Sequence, residues 1–133
     1  MKEELVKAAV AAMENAYVKY SHFPVGAALR LKDGRIVTGA NIENASFGLT
    51  NCAERSALFA AYSQGMRKED ILEMAVATKN KSFVTPCGAC RQVMSELVGP
   101  DIAVHLVNKN HEVKTLKNEE LLPYAFNEEE LPR

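Results

Sequence analysis

Asn51-Cys52-Ala53-Glu54-Arg55 sets a candidate metal ligand, a candidate proton carrier and a cation within four positions. Pro86-Cys87-Gly88-Ala89-Cys90-Arg91 answers it downstream, and together the two stretches use all three cysteines of the 133-residue chain. Each reads as the entrance to a helix. The first helix runs from Cys52 to about residue 64. It is apolar on most sides through Ala53, Ala57, Leu58, Phe59, Ala60 and Ala61, the pattern of a buried helix, and Gly65 is a natural stop. The second continues through Val93, Met94, Leu97 and Val98 until Gly99-Pro100 ends it. Between them Met74-Ala75-Val76-Ala77, inside a strand over 71–78, is a continuous apolar run suited to a strand covered on both faces.

Outward from this centre the chain adds further elements. Residues 102–107 form another buried strand, and 112–116 return as an edge strand after a turn at Asn108-Lys109-Asn110. Upstream, 25–31 and 36–42 are strands joined at Asp33-Gly34, a two-residue hairpin signal. Leu5, Ala8, Ala9, Ala12 and Ala16 predict an N-terminal helix over 3–19. The loop Tyr20-Ser21-His22-Phe23-Pro24 follows it. Asn118 is placed to cap a short helix over 119–122, and the acidic tail 123–133 is extended. The strand-helix-strand-helix-strand centre implies right-handed crossovers and largely parallel pairing, with antiparallel edges from the hairpin and the last strand. The expected fold is α/β: a three-layer α/β/α sandwich with a five-stranded mixed sheet, in a single domain spanning 1–133.

Composition narrows the function. Net charge is -1 and no basic run occurs, which argues against a protein that grips a nucleic acid polymer through its phosphates. No apolar stretch is long enough for a membrane span, and the N-terminus lacks a signal-peptide core. Three cysteines cannot all pair within one chain, so free thiols or thiolates in a reducing cytoplasm are expected.

Helix N-termini favour thiolate over thiol. Cys87 and Cys90 are one helical turn apart, so their sulfurs point the same way, and Cys52 meets them if the two helix starts are neighbours. Three protein ligands would leave the fourth position of a zinc ion open for water, as catalytic sites do. Glu54, two residues after Cys52, can then lie beside the metal and carry a proton. Zinc with three thiolates is net negative, so Arg55 and Arg91 are candidate hydrogen-bond donors to sulfur. At this level plainer alternatives stay open. The cysteines could be buried hydrophobes, Asn41 and Glu43 a strand end, Phe23 core, Phe126 a tail anchor and Arg55 a surface ion pair. His22, His105 and His111 are not expected to be ligands.

Cys52-Ala53-Glu54 followed by Pro86-Cys87-Gly88-Ala89-Cys90 resembles the zinc nucleoside deaminases, a signature known for this enzyme class. Phe23-Pro24-Val25-Gly26-Ala27-Ala28 and Asn41-Ile42-Glu43-Asn44-Ala45 also resemble cytidine deaminase segments, and the likeness extends over roughly residues 20–126. The resemblance implies one zinc per chain on Cys52, Cys87 and Cys90. It implies Glu54 as the proton shuttle, while water adds to the amine-bearing carbon of cytosine and ammonia leaves. Asn41 and Glu43 match the pair that binds the ribose hydroxyl, Phe23 the ring that packs on the base, and the peptide around Ala53 a contact to the base edge. Phe126 matches a tail aromatic that reaches a neighbouring subunit's pocket in a homotetramer with shared sites. The implied activity is deamination of cytidine and 2'-deoxycytidine in pyrimidine salvage. The alternative is deamination of a related cytosine nucleoside such as blasticidin S. A structural zinc module would want a fourth ligand, and a redox protein would cycle Cys87 and Cys90 through a disulfide.

Overall fold

The computed structural model describes residues 2–127 and 131. Eight main elements follow one another: α1 (Lys2–Ala12), β1 (Val25–Leu31), β2 (Ile36–Ala40), α2 (Ala53–Ser63), β3 (Ile71–Thr78), α3 (Gly88–Leu97), β4 (Ala103–Val107) and β5 (Val113–Lys117). The strands form one sheet in the order β2-β1-β3-β4-β5. Helix α1 covers one face, where Leu5, Ala9 and Met13 pack on Ala28, Ala75 and Ala77. Helices α2 and α3 cover the other, where Ala57, Leu58, Cys90 and Met94 pack on Leu29, Met74, Val76 and Leu106. This is the expected three-layer arrangement. Alternate residues of β3 serve the two cores, which is why its apolar run is unbroken.

The antiparallel edges are as expected, while the centre departs from the expected parallel pairing at β1 and β3. Only β3 and β4 are parallel; β1 pairs antiparallel with both β2 and β3, and β5 pairs antiparallel with β4. β2 and β3 do run the same way, as a helical crossover requires, but β1 sits between them. Periodicity gives strand direction from the connections and cannot show which strand is inserted.

Several boundaries also move. α1 ends at Ala12 and a 3-10 turn (Met13–Asn15) follows, with Ala16 already extended at ψ 137°. Backbone pairing overrides helix propensity here: Tyr17 N–H donates to Asn41 C=O at 2.9 Å, and Glu43 N–H donates to Tyr17 C=O at 2.8 Å. β2 stops at Ala40, and the β1–β2 turn closes through Gly34 N–H to Leu31 C=O at 2.9 Å, with Gly34 at φ +92°. The connection is thus longer than a two-residue turn, and glycine supplies the positive φ. Phe59, on the helix that is apolar on most sides and expected to be buried, is 44% exposed. Asn118 does not cap its own 3-10 helix (Asn118–Leu121). Its buried amide donates instead to Met94, Val98 and Gly99 carbonyls at 2.9, 3.0 and 3.3 Å, closing the far end of α3. The expected extended tail over 123–133 begins instead with a turn at Pro123-Tyr124, where Tyr124 has φ +57°, and its residues 128–130, 132 and 133 lie outside the described residues.

Small residues let α2 lie close on the sheet. A Cβ at Gly39 would stand 2.5 Å from Ala57 N and 2.6 Å from Ala53 O, both backbone atoms of α2. Neither can yield without displacing the helix. Gly39→Ala is therefore expected to destabilise the protein by about 1–3 kcal/mol, the usual range for overpacking, measured as a lower denaturation midpoint at unchanged slope. A midpoint equal to wild type would show that α2 is free to shift.

Candidate active site

Chain direction brings the two cysteine stretches together. β2, β3 and β4 run the same way, so the loops leaving β2 and β3 emerge at one edge of the sheet, where the next helix begins. The antiparallel β1 starts at that same edge: Val25 is paired with Thr78, and Gly26 with Ala40. The start of β1, the end of β2 and the N-termini of α2 and α3 therefore share one neighbourhood. A bridge between Ile42 and Asn51 fastens the entrance of α2 to the end of β2, with N–H to C=O distances of 2.9 and 3.0 Å.

Cys52 is the N-cap of α2 and Cys87 the N-cap of α3, both with extended backbone. Cys90 lies in the first turn of α3 and is buried. The three sulfurs lie within 4.8 Å of one another, and Cys52 Sγ is 3.8 Å from Cys87 Sγ. Arg55 Nη2 donates to Cys52 Sγ at 3.3 Å. Hydrogen bonds from the Cys90 thiol, then from Arg55, pull the Cys52 pKa down to about 5. The same pairing, together with burial, holds the Cys90 thiol well above its ordinary range. The protein alone thus accommodates one thiolate readily, and further ionisation calls for a cation among the sulfurs. Three convergent soft donors with an adjoining cavity fit zinc with one open coordination position.

Glu54, the second residue of α2, is 5% exposed. Burial, with the neighbouring Cys52 thiolate, pushes its pKa up to about 7. A carboxyl poised there can both take and return a proton near neutral pH. Glu54 lines a cavity of about 400 Å³ together with Phe23, Asn41, Glu43, Cys52, Ala53 and Cys87. Phe23, Asn41, Glu43 and Ala53, singled out in the sequence, are thus brought to one wall system with two of the three sulfurs. Asn41 Nδ2 donates to Phe23 C=O and Asn41 Oδ1 accepts from Val25 N–H, each at 2.8 Å. Glu43 is buried and accepts from the Tyr20 and Ser21 amides at 3.0 Å each and from the Ser21 hydroxyl. Those hydrogen bonds, the hydroxyl's above all, hold its pKa below the usual carboxylate value.

Arg91 and Phe126 do not line this cavity. Arg91 does not reach sulfur. Its Nε donates to Pro86 C=O at 2.7 Å, Nη1 to Leu121 C=O at 2.9 Å, and Nη2 to the Thr85 hydroxyl. Adjacent positions on α3 face different ways, so proximity in sequence to Cys90 did not translate into contact. Arg91 is a strut that ties the Cys87-bearing loop to the C-terminal 3-10 helix. Phe126 is 56% exposed, and its carbonyl accepts from Gln92 Nε2 at 2.8 Å. Ser21 and Thr85, which also line the cavity, were not singled out in the sequence. Thr85 adjoins Pro86-Cys87 and could have been found by adjacency. Ser21 meets Glu43 across 22 positions, with no local signal. His105 is buried between Thr115 and Glu73 on the α1 face, at 2.8 and 2.6 Å, away from the sulfurs.

The cytidine and deoxycytidylate deaminase zinc-binding region matches residues 1–106. The chain is 54% identical over 130 residues to a cytidine deaminase of Halalkalibacterium halodurans, covering 98% of this chain and 97% of that one. The crystal structure of cytidine deaminase from Burkholderia pseudomallei superposes with a TM-score of 0.91 at 48% identity, covering 95% of this chain and 99% of that one. A blasticidin-S deaminase of Bacillus cereus is more distant, 33% identical over 92% of this chain and 90% of its own length. Arg91→Ala is expected to cost about 1.5–3 kcal/mol of stability, the range for hydrogen bonds to a charged group. The loss should concentrate at 85–87 and weaken metal retention, read by hydrogen exchange and by chelator competition. Unchanged retention would reduce Arg91 to an ordinary surface contact.

Proposed function

The chain belongs to the cytidine and deoxycytidylate deaminase family, and from that membership we propose that it hydrolyses cytidine and 2'-deoxycytidine to uridine and 2'-deoxyuridine, releasing ammonia. One observation carries the reading: a buried, proton-holding Glu54 shares a cavity with sulfurs that converge at two helix N-termini. The cavity is within the size range of small-molecule sites.

Cys52, Cys87 and Cys90 would hold one zinc ion per chain, and the ion, when bound, supplies the Lewis-acid activation of the attacking water. The chain's own residues do the rest. Glu54 accepts the proton that the water loses as its oxygen adds to C4 of the base, and gives it to the adjacent ring nitrogen. It next takes the proton of the added hydroxyl and passes it to the exocyclic amine, which leaves as ammonia while the carbonyl forms. Arg55 disperses the thiolate charge through Cys52. The Ala53 N–H, among the unpaired amides of the first turn of α2, is available to the edge of the base. Phe23 packs on the base, and Asn41 and Glu43 take the ribose hydroxyl. Phe126, which does not line the cavity of its own chain, serves a neighbouring subunit's site in a homotetramer. The working unit is a single catalytic domain over 1–133, placed in the cytoplasm and in pyrimidine salvage. No helix among the described residues is long and apolar enough to cross a membrane.

An ultraviolet assay of purified protein with cytidine, deoxycytidine and blasticidin S side by side tests the substrate. Turnover of the first two with little on the third is the expected outcome, and preference for blasticidin S would reassign the site. Glu54→Gln should keep the fold and one zinc per chain by metal analysis while losing roughly 10²–10⁴-fold in kcat. Wild-type turnover in that variant would refute the shuttle.

A further inference from the structure

The segment 20–23 is wound around the carboxylate of Glu43. Oε1 accepts from the Tyr20 and Ser21 amides, and Oε2 accepts from the Ser21 hydroxyl. That same hydroxyl accepts from Phe23 N–H at 3.1 Å. It therefore relays between the acid and the peptide of the aromatic ring two residues on. The other side of the Phe23 peptide is also held, since its carbonyl accepts from Asn41 Nδ2 at 2.8 Å. His22, between Ser21 and Phe23, sits at φ +57°. A non-glycine residue holds that conformation only where its surroundings over-determine it.

The donor count bears on binding. A carboxylate has about four acceptor positions, and three of Glu43's are taken within the protein. One is left, on Oε2, and Glu43 lines the same cavity as Phe23. Glu43 is thus built to accept one hydroxyl from a ligand, and its aim depends on the bond that Ser21 makes to the same oxygen.

We infer that Ser21 is a positioning residue for substrate binding, its hydroxyl locking the sugar-binding carboxylate of Glu43 and the base-packing ring of Phe23 into one unit. The inference rests on the nucleoside reading for its substrate and on geometry for the lock. Ser21 touches neither the sulfurs nor Glu54, so its removal should weaken binding and spare the chemical step. Removing it also takes away the main group that keeps Glu43 ionised.

The test compares zinc-loaded wild type, Ser21→Ala and Ser21→Thr in cytidine turnover and by amide hydrogen exchange. In Ser21→Ala, KM should rise roughly ten- to hundredfold with kcat within about threefold, as for loss of a hydrogen bond to a charged group. The amides at 20, 21 and 23 should exchange faster while those of α2 do not. Ser21→Thr, which keeps the hydroxyl, should restore all of these. Unchanged KM and exchange in Ser21→Ala, or a Ser21→Thr as impaired as Ser21→Ala, overturns the inference while wild-type turnover upholds the nucleoside reading. Absence of cytidine turnover in wild type overturns that reading and the substrate part of the inference; faster exchange in Ser21→Ala then supports the lock alone.

Discussion

Three sulfur atoms must converge, and two of the three come from helix N-caps. This constraint shapes the rest of the molecule. N-cap backbone is extended, so each cysteine side chain leaves from a fixed point rather than along a helical face. The two helices must then begin side by side, which demands that the strands before them end at one edge of the sheet. Insertion of the antiparallel β1 between β2 and β3 satisfies this demand and adds something. It brings the start of a strand, with Phe23 and Val25 at its mouth, to the edge where the helices begin. A wholly parallel sheet would have sent that segment to the opposite end.

The electrostatics of the centre follow from the same convergence. Thiols this close cannot titrate independently. One ionises easily because the others and Arg55 donate to it, and the next does not. Glu54 is held protonated well above the ordinary carboxylate range partly by that first thiolate, though burial contributes more. A cation placed among the sulfurs would reverse both tendencies, since positive charge favours each anionic form. The proton affinity of the acid is therefore coupled to the charge state of the ligands beside it.

Much of this was legible in the sequence because the relevant signals were local. The two cysteine stretches announced both helix starts, and Gly65 and Gly99-Pro100 announced both ends. The unbroken apolar run of β3 announced a strand with two covered faces. The strand order was not legible, because nothing in residues 25–31 states which neighbours they pair with. Arg91 was misread because its partners, Thr85, Pro86 and Leu121, lie on other segments. Asn118 was read as a cap, which it is, but for the helix before it rather than its own. In each case the residue type indicated the chemistry and only the tertiary arrangement supplied the partner.

Those two misread residues set the order in which the protein can be finished during its own synthesis. All three sulfur ligands have been made by residue 90. The helix bearing two of them is secured at its near end by Arg91 on the Leu121 carbonyl and at its far end by Asn118 on three carbonyls. The Leu121 carbonyl and Asn118 both come more than 25 positions after Cys90. A nascent chain emerging from the ribosome thus carries its complete ligand set before it owns the parts that fix their spacing. Domains generally fold as units, and here the unit closes only when the segment 118–121 arrives.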